Sequence, residues 1–172
     1  SPPSGGAGVT SGLAGADWPA YGGTYGAQRY SRLTQITPAN VGRLERAWLI
    51  HTGDMPKTEA ARKMYGAETT PLKVGDTLYL CTPKNVLIAL DPATGAVQQV
   101  GGSELSGRGL RAENIRDMVD PGRGQIWVGT QAKGLLLVDE ATLATRSIHR
   151  NVGSPYGLDS DGIWSLFKDR SD

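Results

Sequence analysis

The sequence predicts an all-β protein with one short helix near its start. Nine short runs are rich in β-branched, aromatic and leucine residues: 47–52, 70–74, 77–82, 86–90, 115–119, 125–129, 134–139, 145–149 and 163–167. Turn chemistry separates them, at Val74-Gly75-Asp76-Thr77, at Asp91-Pro92-Ala93-Thr94-Gly95 and at Asp120-Pro121-Gly122-Arg123-Gly124. A short internal repeat adds a third observation. Leu110-Arg111-Ala112-Glu113-Asn114-Ile115 resembles Leu158-Asp159-Ser160-Asp161-Gly162-Ile163, 48 residues later. A period near 48 with about four strands inside it describes a β-propeller blade rather than a solenoid coil. The expected architecture is therefore a set of four-stranded antiparallel blades, about three in number, where a closed ring needs roughly four to eight. It is an incomplete propeller whose open blade edges would pair with further copies of the chain as a homo-oligomer.

The elements follow in order. Residues 1–16 are ten parts in sixteen Ser, Pro or Gly, which cannot bury enough apolar surface to offset its ordering entropy, so this stretch reads as a flexible linker. Thr37-Pro38-Ala39-Asn40-Val41 places a capping hydroxyl before a proline at the first helical position. Val41, Leu44 and Trp48 then recur at helical spacing, with Gly42 limiting the helix to about two turns. After it the period becomes that of strands, with 77–82 and 86–90 joined at Pro83-Lys84-Asn85 as a tight hairpin.

Composition excludes several classes of function. The 172 residues carry 18 basic and 17 acidic side chains, so no electrostatic footprint points to nucleic acid. The longest apolar runs, at 86–90 and 135–138, are far too short for a transmembrane segment. Cys81 is the one cysteine, which excludes an internal disulfide and a thiolate-rich zinc site. His51 and His149 are the two histidines, too few for clustered imidazole chemistry.

Residues 17–97 resemble the opening of PQQ-dependent (quinoprotein) glucose dehydrogenases. The residues that carry this are Asp17-Trp18-Pro19-Ala20-Tyr21-Gly22-Gly23-Thr24, Arg29-Tyr30-Ser31, the run from Leu33 to Val41, Ala47-Trp48, His51-Thr52-Gly53-Asp54, the run from Glu68 to Thr82, and Ala89-Leu90-Asp91-Pro92-Ala93-Thr94-Gly95. Residues 110–172 resemble the two-component-regulator propeller repeats of bacterial sensor modules, through Asn114-Ile115, Ile126-Trp127-Val128-Gly129-Thr130, Gly134-Leu135 and a second start at Gly162-Ile163-Trp164. The two resemblances divide the chain into a linker (1–16), a quinoprotein-like segment (17–97), a junction (98–109) and regulator-like blades (110–172), a chimera of two families. In the quinoprotein repeat the Ala-x-Asp-x-x-Thr-Gly turn is followed by a docking Trp, and Gln99 stands in that place here.

The first resemblance implies PQQ and Ca²⁺ as cofactors, a sugar as substrate oxidised at its anomeric carbon, a quinone acceptor and a periplasmic location. The family's catalytic Asp and most calcium ligands lie in later blades, so the chain is expected to be a fragment or fusion that is inactive alone. The alternative is a non-catalytic propeller module for sensing, ligand binding or assembly. Glu68, before Thr-x-Pro, is the first cofactor candidate; its other reading is a solvated loop carboxylate. Lys84 sits where glucose dehydrogenases often carry a His; it suits a cofactor carboxylate as a point charge, or is an exposed hairpin lysine. His51 is expected to be structural, and no metal site is assigned to Asp139-Glu140 or Asp159/Asp161, which match turn positions. Cys81 is expected as a small buried side chain, and Trp127 and Trp164 as core packing.

Overall fold

A computed structural model describes residues 17–24, 26–53, 56–64, 70–98, 100, 110–111, 115–155 and 157–168. Two antiparallel sheets account for most of it. The first contains β1 (Leu72–Val74), β2 (Thr77–Cys81), β3 (Val86–Leu90) and β4 (Val97–Gln98), in that order, with β5 (Leu110–Arg111) also on β3. The second is β6 (Ile115–Val119), β7 (Gln125–Thr130), β8 (Leu135–Asp139) and β9 (Thr145–Ile148), again in chain order. These are propeller-type blades, as the strand runs and turn signals predict.

β4 and β5 lie along the same edge of β3: Leu90 pairs with Val97 and Ala89 with Gln98, then Leu87 with Leu110 and Val86 with Arg111. Both flanks of the expected junction thus belong to the outer edge of the first sheet. Gln99 and residues 101–109 lie outside the described residues, as does the linker at 1–16.

The 48-residue offset seen in six residues of sequence extends through the hydrogen bonding. Asp91 accepts the amide of Thr94 through Oδ1 at 3.0 Å, and Asp139 that of Thr142 at 2.8 Å. Thr94 and Thr142 each accept the amide of the alanine two residues on, at 3.2 and 3.3 Å. Asp91 N donates to Ala96 O, and Asp139 N to Ala144 O, both at 2.9 Å. At the opposite end of the hairpins, Thr82 N donates to Val86 O at 2.9 Å and Thr130 N to Gly134 O at 3.2 Å. Each of these turn bonds lies 48 positions from its counterpart in the other sheet, whereas the β1–β2 and β6–β7 pairings differ by one residue in register.

Alternation along the strands builds the core. Leu72, Tyr79, Cys81, Leu87, Ala89 and Val100 of the first sheet and its edge meet Ile115, Met118, Ile126, Val128, Leu136 and Val138 of the second in one buried cluster. Ile115 N is held by Asn85 Oδ1 at 3.2 Å, tying the start of the second sheet to the β2–β3 hairpin of the first. Residues 18–19 stitch the far end. Trp18 exchanges two backbone hydrogen bonds with Lys73, at 2.7 and 3.0 Å, and Pro19 O accepts from Asp120 N at 3.1 Å.

Three expectations are corrected. The helix over Val41, Leu44 and Trp48 is a single 3₁₀ turn, Val41–Arg43. Thr37 supplies its carbonyl to Asn40 N and Val41 N, while Asn40 Oδ1 accepts Thr37 N, so the side-chain cap is absent. Val41 and Leu44 are exposed, and a turn that buries no apolar face does not propagate. Residues 47–52 are not a strand: no neighbouring strand pairs with them, and Trp48 instead donates Nε1 to Pro92 O at 3.0 Å. Residues 163–167 are extended but unladdered, held by Ile163 N to Thr130 O and by Leu166 N to Asp117 Oδ2, both at 2.8 Å. Three elements have no counterpart in the sequence reading: β4, β5 and a helix. Glu59–Met64 forms a short helix (α1) whose first turn is capped by Thr58, with Ala61 N on its Oγ1 at 3.3 Å.

Thr130 is fully buried and its hydroxyl donates to Gly134 O while accepting from Lys133 N, both at 2.8 Å. Replacing Thr130 with Val takes this acceptor from the Lys133 amide and leaves Gly134 O the Thr130 amide alone, so it should cost about 1–3 kcal/mol. Thermal unfolding should show this as a fall of roughly 3–10 °C in the melting midpoint.

Candidate functional site

The hairpin tips Pro83–Asn85 and 131–133 occupy equivalent ends of the two sheets. Lys84 is exposed at the first tip, while its neighbour Asn85, at φ 59°, bonds to the next sheet. Glu68, the other cofactor candidate, lies outside the described residues. Among the described residues of that tip, Lys84 carries the one ionisable side chain.

The remaining candidates fall into place as follows. Cys81 is buried in the seam between the sheets, its Sγ 3.5 Å from Thr82 O. His51 is exposed. Asp161 Oδ1 accepts Arg150 N at 2.6 Å and stands 3.6 Å from His149 Nδ1, so it fastens the loop that follows β9. Trp127 is half-buried with its Nε1 enclosed and without a hydrogen bond. Trp164 departs from the core reading: it is 72% exposed, with the Arg116 guanidinium 4.7 Å from its ring centre and Arg116 Nη2 bonded to Gln131 Oε1 at 2.7 Å.

The opposite end of the sheets is acidic. The turns after β6 and β8 bring Asp120, Asp139 and Glu140 near Asp17, and the buried Tyr79 hydroxyl faces them without a hydrogen bond of good geometry. Burial, then Glu140, Asp120 and Asp139, push the Tyr79 phenol up to about 12, with Thr77 in partial opposition. Burial also raises the Glu140 carboxyl, with Asp120, Asp139 and Asp17 adding to it. Asp139 goes the other way, because Thr142 donates its hydroxyl and amide to it. The sequence reading assigned Asp139-Glu140 no site; the convergence with Asp17 and Asp120 depends on the amino-terminal segment and two separate turns. Among the described residues, no three His, Cys, Asp or Glu side chains converge so as to hold a metal ion. With one cation at the tip and no such donor set, the described residues do not by themselves make a site for PQQ and calcium.

Two stacked antiparallel sheets of four strands, β5 sharing the edge with β4 in the first, whose last three strands keep the same register, define a β-propeller protein. The family model for the glucose/ethanol/alcohol dehydrogenase β-propeller domain, PQQ, matches residues 18–142, and the chain belongs to this family. That match crosses residues 98–109 into the second sheet, and the regulator-propeller resemblance expected beyond them finds no support in it. The glycerol dehydrogenase large subunit of Gluconobacter oxydans is 48% identical over 82 residues, 48% of this chain and 11% of that protein. The quinoprotein glucose dehydrogenase of Escherichia coli is 48% identical over 83 residues, covering 48% of this chain and 10% of its own length. The dehydrogenase subunit of the quinone alcohol dehydrogenase of Komagataeibacter europaeus is 32% identical over 130 residues, 73% of this chain and 16% of that one. Among solved structures, the quinohemoprotein alcohol dehydrogenase of Comamonas testosteroni superposes with a TM-score of 0.56 and 28% identity, over 75% of this chain and 18% of that one. The chain thus spans between a tenth and a sixth of the length of these relatives. No helix among the described residues is long and apolar enough to cross a membrane.

The raised Glu140 pKa carries a sign. The folded state holds this proton more tightly than the unfolded chain, so the penalty is absent below the ordinary value of 4.5 and grows as pH rises through the folded value. Glu140→Gln should raise the melting midpoint at pH 7 by about 1–2 °C, a small effect because the group is only partly buried. Melts repeated down to pH 4 should show the advantage disappearing.

Proposed function

We propose that the two sheets act as successive blades of a PQQ-dependent dehydrogenase that oxidises a hydroxyl of a sugar or related polyol and passes the electrons to a quinone acceptor. The supporting observation is the family match over residues 18–142, which spans both sheets. The relatives at 48% identity act, by name, on glycerol and on glucose, which favours a polyol over a simple alcohol. A bacterial periplasmic location goes with this reading. When bound, PQQ supplies the two-electron acceptor. Of the chain's own residues, Lys84 would offer a point charge for a cofactor carboxylate at the hairpin tip, and by the family resemblance Glu68 would offer the cofactor a hydrogen-bond acceptor. The general base and the metal ligands come from blades that this stretch does not contain, so residues 1–172 alone turn over no substrate.

The test is a graft. Residues 18–142 would replace the matching stretch of the Gluconobacter oxydans glycerol dehydrogenase large subunit, with dye-linked oxidation of glycerol and glucose as the readout. The expected result is turnover by the graft and none by the isolated chain. A graft that folds and holds PQQ yet oxidises neither polyol would overturn the reading. Within the graft, Lys84→Ala should weaken PQQ binding about tenfold, the loss of one charge-assisted hydrogen bond, as measured by equilibrium dialysis.

The isolated chain should also self-associate. Trp164 and Phe167 are 72% and 79% exposed on a segment that joins no ladder among the described residues. Such an edge invites pairing with a second copy. Light scattering should show dimers or larger species at micromolar concentration, and a strictly monomeric sample would contradict this.

A further inference from the structure

The two outer turns are the same device, and one residue in each treats the neighbouring layer in opposite ways. In the first, Gly95 sits at φ 72°, and the Trp48 ring lies directly over it. A methyl group placed on Gly95 would come within 2.7 Å of indole atoms Cδ2 and Cε3. Trp48 Nε1 bonds the same turn through Pro92 O at 3.0 Å. The covering side chain thus arrives from outside the sheet, and the turn must be bare to receive it.

In the second turn the counterpart of Gly95, 48 positions on, is Leu143. Its backbone is the same: φ is 56°, and its amide donates to Asp139 O at 2.8 Å, as Gly95 N does to Asp91 O at 2.8 Å. A leucine in this region is disfavoured by contact of its Cβ with the backbone, so a compensating gain must hold it there. The gain is visible. Leu143 is partly buried and packs against the buried cluster that the two sheets share.

We infer that Leu143 is a built-in substitute for a docking tryptophan: it plugs the seam between the two sheets from within its own turn and closes that turn to an indole from outside. The two turns therefore specify different interfaces. The Asp91 turn accepts an aromatic ring from the preceding segment, whereas the Asp139 turn is self-sealed and selects against one. The inference concerns the sheet interfaces alone and holds whether or not the chain serves a dehydrogenase.

The sign of one substitution tests it. Glycine relieves the strain of a left-handed turn, so if Leu143 were an ordinary turn residue, Leu143→Gly would leave the melting midpoint unchanged or raise it. As a plug, its loss should lower the midpoint by about 5 °C. A midpoint at or above that of the parent overturns the inference. A double-mutant cycle covers the reverse exchange. Gly95→Leu should be strongly destabilising or prevent folding, because the side chain collides with Trp48. Adding Trp48→Ala to Gly95→Leu should recover at least half of that loss by recreating the self-plugged arrangement. If the double variant melts no higher than Gly95→Leu alone, the two turns are not interchangeable in this way and the inference fails.

Discussion

Tyr79, Leu87 and Ala89 face Ile126, Val128 and Val138 across a buried seam, and the rest of the structure depends on that contact. A four-stranded sheet has no core of its own, because alternate residues of each strand project to opposite sides. Stacking a second sheet on the first removes one apolar face of each from water at about 25 cal/mol per Å². The seam also dictates the connections. The chain leaving the outer edge of the first sheet must return to the start of the second, and Asn85 catches Ile115 N at that point. Residues 18–19 and the β6–β7 turn close the other end, through Pro19 and Asp120.

The register of each hairpin is set locally, by side chains that satisfy turn amides which no strand can reach. Asp91 with Thr94, and Asp139 with Thr142, hold the outer turns; Thr82 and Thr130 hold the inner ones. Because the outer-turn bonds recur at the same spacing, β2–β3–β4 and β7–β8–β9 pair in the same register. Strand pairing then needs no long-range search within a sheet, every pair being consecutive in the chain apart from the return of β5 to β3.

Charge is distributed unevenly between the two ends of the sheets. Lys84 stands at the inner hairpin tip, while Asp17, Asp120, Asp139 and Glu140 gather at the outer turns around the Tyr79 hydroxyl. The acidic end is one that strand-by-strand reading does not show, since its members come from the amino-terminal segment and from two turns of the second sheet. Lys84 was legible as a hairpin residue because Pro83 and Asn85 mark the tip. What it would meet there is another matter, determined by chain that approaches from elsewhere. Trp164 is similar. A tryptophan in a repeat is ordinarily core, yet here it is exposed and stacked on Arg116, on a segment that joins no ladder among the described residues.

Alternation and turn residues alone determined seven of the strands, from the first hairpin at Gly75 to the last at Asp139, since period-two burial and turn dihedrals are properties of a few consecutive residues. The 48-residue repeat was equally a matter of sequence, although the six residues first noticed are a small part of it. Whether an apolar run becomes a strand depended on what lay beside it, and only the tertiary structure decided that. Residues 47–52 and 163–167 have strand-like composition but no neighbour to complete a ladder. Trp48 spends its ring on Gly95, 47 positions away, which no local window can reveal. Leu143 carries the same lesson in reverse. Its sequence position is a turn that favours glycine, and the seam it fills exists only once both sheets are in place.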